Sequence, residues 1–291
     1  MAIDQRNAGA AITPVANGGY TVDRFSDTVT QSSKLTFQQV TDAPAGFSNS
    51  MKIMVASTAT AGAGDQFRFN QAIEGYNIAD FAWGTASASA ISVSFWAKAS
   101  VAGTYSVTVW NFNLNRSFVS TVALTSSWAK YSILISGDTS GSWSTAWTNG
   151  VGLELIFDLG NGSTWETSTL NSWQAATKMK ATGSVSLVSN AAATLNITGV
   201  QLEKGSTATA FDYRPYGTEL ALCQRYYSIF PYIIVNLGTT FTIATFPVTM
   251  RGVPTIAGGG AGFSVNGANT TVLNCSQTTL AAQTLTCTAE L

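Results

Sequence analysis

The sequence has no histidine and little charge, with 14 Lys plus Arg and 15 Asp plus Glu among 291 residues. Charged residues make up 10% of the chain, against roughly 25% in an average soluble domain. Without histidine, the usual general base, the commonest metal ligand and every Ser-His or Cys-His nucleophile are missing. Most enzyme classes are therefore disfavoured. A net charge of −1 gives no basic footprint for nucleic acid and no polybasic membrane patch, so polyanions are not expected as partners. Cysteine is scarce. Cys223, Cys275 and Cys287 are an odd number in a long chain, which does not read as a disulfide framework, and they are expected to act as small buried hydrophobes. The longest apolar stretch, Ile229 to Val235, is far short of a membrane span. Met1 to Gly9, with Asp4 and Arg6, lacks the apolar run of a signal peptide, which is the pattern of a chain made in the cytosol.

Hydroxyls take the place of ions at the surface: Ser and Thr number 70 of the 291 residues. A hydrophobic fraction of 45% excludes disorder and supplies a large core. The apolar residues recur with period two. Ile91-Ser92-Val93-Ser94-Phe95-Trp96-Ala97-Lys98, Tyr105-Ser106-Val107-Thr108-Val109 and Tyr131-Ser132-Ile133-Leu134-Ile135 alternate apolar with polar, and Val151, Leu153, Leu155, Phe157 and Leu159 form one face of another strand. Each run reads as a half-buried strand. Turn clusters such as Gly137 to Gly141 and Gly160-Asn161-Gly162 separate them. Short strands at near-regular spacing predict an all-β sandwich or jelly roll, closed by a strand over Ala193 to Glu203, with Leu195, Ile197, Gly199 and Gln201 expected on one face.

The chain changes character after Gly205 to Pro215. Thr218 to Tyr227 is the one helix-like segment, with Thr218 a candidate N-cap, and strands are expected around 232–236, 239–250, 271–274 and 284–288. From Tyr216 to Leu291 the only charged side chains are Glu219, Arg225, Arg251 and Glu290. Such a segment makes a poor monomer surface and suits an oligomer interface, where charge is depleted. The expected domains are 1–214 and 215–291. Arg225, Tyr226 and Tyr227 are the candidate interface residues, with Glu219 as a partner for Arg225 from a neighbouring subunit.

Ile197-Thr198-Gly199-Val200-Gln201-Leu202-Glu203-Lys204-Gly205, then Ala208 to Pro215 and Glu219 to Tyr227, closely resembles a junction found in tail-fibre and receptor-binding proteins of tailed bacteriophages. Gly19-Tyr20-Thr21-Val22-Asp23-Arg24-Phe25 is similar to the opening of the jelly roll in such proteins, and Phe246-Pro247 to Pro254-Thr255 is similar to the fibre tip. The resemblance implies a carbohydrate-binding-module-like jelly roll followed by a small trimerising β domain. It also implies a homotrimer at the distal end of a fibre on the virion, with bacterial surface polysaccharide or lipopolysaccharide and other phage tail proteins as partners. No cofactor is expected. Jelly-roll binding modules often hold a structural calcium ion, but no D-x-[DN]-x-[DN]-G loop is present and no ligands can be named.

Sugar recognition uses aromatic platforms helped by polar side chains. Trp96 and Trp110 fall on the polar faces of their strands. Trp143, Trp147, Trp165 and Trp173 sit in loop-rich segments, where binding residues are often carried. Trp147 is the leading candidate, and Trp143 is expected to close the end of the sandwich. Catalysis on a glycan needs two carboxylates about 5 to 9.5 Å apart, and Glu154 and Asp158, four residues apart on one strand, are separated by about 13 Å. Asp138, Glu166 and Asp212 would have to converge from different loops. The expected function is a non-enzymatic adhesin. The alternatives are a purely structural fibre protein and a glycan-cleaving tailspike.

Overall fold

Alternating runs turn one face of each strand toward a common core. In the computed structural model, which describes residues 1–14, 18–111, 113–143, 148–233, 242–258, 263–277 and 282–291, they build two compact units, Met1–Asp212 and Tyr213–Leu291. In chain order the strands of the first unit are β1 (Tyr20–Val22), β2 (Phe25–Val29), β3 (Leu35–Val40), β4 (Ser50–Val55), β5 (Phe67–Glu74), β6 (Ile91–Ala99), β7 (Gly103–Asn111), β8 (Ser117–Leu124), β9 (Ala129–Ile135), β10 (Val151–Asp158), β11 (Glu166–Thr167), β12 (Trp173–Gln174), β13 (Lys180–Ala181) and β14 (Thr194–Lys204). One sheet has the order β1-β2-β5-β10-β7-β8-β12 and the other β3-β4-β14-β6-β9. The sheets share one core, in which Phe95 of β6 meets Phe157 of β10 edge-on at 5.1 Å between ring centroids and Phe37 of β3 approaches Phe69 of β5 at 6.2 Å. The unit is an all-β sandwich.

The parallel pair β11 and β13 covers the outer face of the larger sheet. The Ala181 N–H donates to Ser106 Oγ at 2.9 Å, and Thr108 Oγ1 donates to the Met179 carbonyl at 3.2 Å. Ser106, Thr108 and Trp110, the outward residues of β7, are all buried. Outward position on a strand is therefore not the same as exposure.

The closing strand departs from simple alternation. Along β14, Thr198 pairs with Trp96 of β6, but the next pairs are Gln201 with Ser94 and Leu202 with Val93, so an extra residue is inserted. Gly199 sits at φ +58, a left-handed conformation that glycine adopts at low cost. Before the bulge Leu195 and Ile197 face the core; beyond it Val200 and Leu202 pack inward. The expectation that Gly199 and Gln201 share the face of Ile197 is corrected by this one-residue slip.

In the second unit, α1 (Tyr216–Gln224) starts at Pro215 and not at Thr218: the Pro215 carbonyl accepts the N–H groups of Thr218 and Glu219 at 2.9 and 3.1 Å. Proline's fixed φ suits a helix entrance, where it has no N–H to lose. Two three-stranded sheets follow. In chain order their strands are β15 (Tyr227–Ile233), β16 (Thr242–Thr245), β17 (Thr255–Gly258), β18 (Phe263–Ala268), β19 (Val272–Gln277) and β20 (Ala282–Thr288). The orders are β15-β20-β17 and β16-β19-β18. The core contains Phe246, Met250, Leu273, Cys275, Leu285 and Cys287. All three cysteines are free and buried. Among the described residues no helix is long and apolar enough to cross a membrane.

Candidate functional site

The outer face of the five-stranded sheet carries the arrangement best suited to a ligand. Inward residues of β6 and β9 are Phe95, Ala97, Ile133 and Ile135, which leaves Trp96 and Lys98 of β6 and Lys130 of β9 on the outer side. Trp96 pairs with Lys130 across the two strands. One residue before β9, Trp128 lies against Lys98, whose Nζ sits 5.2 Å from the centre of its ring. Aromatic rings and ammonium groups therefore alternate at the corners of a four-residue square. Trp128 is not free to swing, because its Nε1–H donates to Asp42 Oδ1 at 3.1 Å while Lys98 Nζ contacts the same carboxylate at 2.7 Å. Those two bonds hold the Asp42 carboxyl below the usual carboxylate range. The result is an indole plane oriented in advance, with a cation over one ring face.

Next to this square the chain doubles back. Gln201 donates through Nε2 to the Ala210 carbonyl at 3.1 Å and accepts the Asp212 N–H at 2.7 Å, Glu203 Oε2 accepts the Thr209 N–H at 3.1 Å, and Lys130 Nζ donates to the Thr209 carbonyl at 2.7 Å. Phe211 is thereby set edge-on against Phe47 at 5.0 Å, and a methyl group at Gly199 would lie 2.6 Å from Phe47 and 3.2 Å from Trp96. This strap walls one end of the platform.

The other candidate tryptophans are used differently. Trp143, 1% exposed, forms a triangle with Trp83 and Trp173, with ring centroids 4.7, 5.2 and 5.6 Å apart, and its Nε1–H donates to Asp138 at 3.0 Å. It does close the end of the sandwich and cannot stack on a sugar. Trp173 is partly buried against the same core, with its Nε1–H on the Ser136 carbonyl. Trp110, 2% exposed, packs under Trp165 and Met179, with the Arg68 guanidinium 4.7 Å from its ring centre and its Nε1–H on Glu154. The expectation that it forms an open platform is corrected: the β11–β13 segment covers it. Trp165 is half-buried in that cluster and donates to the Gly64 carbonyl. Trp147 lies outside the described residues. Trp96 remains on the open face, joined by Trp128, which sequence reasoning missed. Extending the β9 alternation one residue upstream, from Ser132 and Lys130 to Trp128, was the signal that could have found it.

The carboxylates are separately engaged. Glu154 pairs with Arg68 at 2.8 Å, Asp138 with Arg116 and Glu166 with Lys180 at 3.7 Å. Asp158 is buried, and burial pushes its carboxyl up to about 6. Among the described residues no three His, Cys, Asp or Glu side chains come together as metal ligands would. Within the second unit Glu219 pairs with Arg214 at 3.4 Å, the Arg225 carbonyl accepts the Arg251 N–H, and Tyr226 and Tyr227 are buried. The partner found for Glu219 is thus Arg214 of the same chain.

No protein-family model and no curated protein matches the chain. Solved structures with a similar fold include a family 11 carbohydrate-binding module of a cellulosomal cellulase of Clostridium thermocellum (TM-score 0.34, 12% identity, covering 67% of this chain and 99% of that one). A second is the CBM22-1 xylan-binding domain of Paenibacillus barcinonensis Xyn10C (TM-score 0.34, 11% identity, 69% and 99%). A third is the enzymatically active domain of tailspike protein 4 of bacteriophage CBA120 (TM-score 0.34, 13% identity, 62% of this chain and 19% of that chain).

Proposed function

We propose that this protein is a non-enzymatic adhesin that binds a bacterial surface glycan through the outer face of its five-stranded sheet. The observation that carries the reading is the square of Trp96, Lys130, Lys98 and Trp128, with Trp128 oriented by Asp42. Indole planes stack on the apolar faces of sugar rings, and flanking polar groups bond the hydroxyls. The resemblance of the Ile197 to Tyr227 region to phage tail fibres supports placing the protein at the distal end of such a fibre, as a homotrimer on the virion. The uncharged edge strands of the second unit, such as Thr-Ile-Ala-Gly of β17 and Phe-Ser-Val-Asn-Gly-Ala of β18, fit subunit pairing, because a monomer normally guards edges with charge. Three weak sugar sites per trimer would add through effective concentration.

The test is affinity electrophoresis of the purified protein in gels containing host polysaccharide, with light scattering on the same sample. Saturable retardation weakened in Trp128→Ala, no release of reducing ends and a mass near three times 30.5 kDa are expected. No retardation, or product release, overturns the adhesin reading, and a stable monomer overturns the trimer.

A further inference from the structure

We infer that the platform selects acidic carbohydrates, those carrying a carboxylate or phosphate substituent. This rests on the reading of that face as a glycan site and names its ligand class. The paired residues Gln38–Lys52, Lys52–Asn196 and Asn196–Lys98 form one row across β3, β4, β14 and β6. At about 4.8 Å between neighbouring strands, Lys52 and Lys98 stand about 10 Å apart with Asn196 between them. Lys130 belongs to the same face, so three of the chain's seven lysines are gathered on one sheet surface. The near-neutral net charge conceals this concentration, which is why polyanions looked improbable from composition.

The acids facing these lysines are already occupied. Asp42 is held by Lys98 and Trp128, and Glu203 by Thr209. Among the described residues Lys52 has neither an ion pair nor a hydrogen-bond partner for its ammonium group. Three ammonium groups face two carboxylates, with Lys98 and Lys52 acting on Asp42 and Lys130 on Glu203, which leaves one positive charge uncompensated on this face for an anionic substituent seated above Asn196. Asn196 is itself a buried floor, with its Nδ2 donating to Ser50 Oγ at 3.2 Å. An anion there meets Lys52 on one side and Lys98 on the other in charge-assisted hydrogen bonds, while its sugar ring reaches Trp128.

The test is titration of the full chain with oligogalacturonate, phosphorylated mannan and neutral xylan oligosaccharide of matched length, at low and high salt. At least one acidic probe is expected to bind about tenfold tighter than xylan, with the advantage shrinking as salt rises. The two acidic arms separate carboxylate from phosphate. Lys52→Gln should weaken the acidic probe roughly three- to tenfold without changing xylan binding or melting. Lys178→Gln, whose Nζ bonds the Thr164 carbonyl away from this face, should change nothing. Equal binding of acidic and neutral probes, or acidic binding unmoved by Lys52→Gln, overturns the inference and leaves the glycan reading standing. No saturable binding by any probe or by host polysaccharide overturns the glycan reading itself.

Discussion

Arg116 grips Asp138 through two parallel hydrogen bonds, Nε to Oδ2 at 2.8 Å and Nη2 to Oδ1 at 2.5 Å. The carboxylate also accepts the Trp143 indole and the Ser140 N–H, and the Asp138 carbonyl takes the Gly84 N–H at 2.7 Å. One residue therefore ties the loop after β9 to the β7–β8 turn and to the tryptophan triangle. With the Asp138 side chain 1% exposed, removing its partner strands a buried charge. Arg116→Ala should cost about 3 to 5 kcal/mol, read as a lower urea midpoint with an unchanged slope. A change under 1 kcal/mol would mean water replaces the guanidinium.

Trp143 and Trp128 should separate stability from binding. Trp143→Ala empties a fully packed site and should cost about 3 to 5 kcal/mol of folding free energy with glycan affinity retained under native conditions. Trp128→Ala should leave melting nearly unchanged and weaken binding by about 1 kcal/mol or more. Calorimetric melting and gel retardation of both variants check the pair, and the reverse pattern would move the site elsewhere.

Stability should fall as pH rises from about 4 to 7. Asp27 shares the inward face of β2 with Phe25 and Val29, and burial pushes its carboxyl, whose oxygens find no hydrogen-bond partner among the described residues, up to about 7. Asp158 is raised by burial to about 6. Both lie above the ordinary 3.8, so the native state holds protons that the unfolded chain releases. The stabilisation is complete below pH 4 and lost as pH passes 6 and then 7. At about 1.4 kcal/mol per pH unit of difference, each group is worth on the order of 3 to 4 kcal/mol. The lowered carboxyls of Asp42 and Asp65 act oppositely, but only below about pH 4. Asp27→Asn should raise the melting temperature at pH 8 and flatten the slope between pH 6 and 7, where Asp158 no longer contributes. An unchanged slope would show that Asp27 does not titrate in this range.

Gly199→Ala tests how the bulge supports the platform. A methyl group there meets φ +58 and crowds both Phe47 and Trp96, so a loss of about 1 to 3 kcal/mol is expected. Because Trp96 must shift, affinity should fall as well. Crystallography of the variant would show whether the ring moved, and an unmoved ring with weaker binding would contradict this account.

Alternation is a local property, and it was legible. The runs at 91–98, 131–135 and 151–159 became β6, β9 and β10 because a strand with one buried face must repeat every two residues, and the helix-like segment after Pro215 became α1. Which outward residues stay open is a different question. Trp110 and Trp96 hold equivalent positions on their strands, yet the segment around Met179 folds over the first and leaves the second only half-buried. The Trp128–Asp42 bond joins residues 86 positions apart, and the Lys52–Asn196–Lys98 row exists only because β14 lies between β4 and β6. Strand order, the slip at Gly199 and the covering of one sheet face depend on contacts between distant segments. The sequence alone thus determined the strands and most of their inward faces, while tertiary packing decided which aromatic and charged side chains meet and which remain available to a ligand.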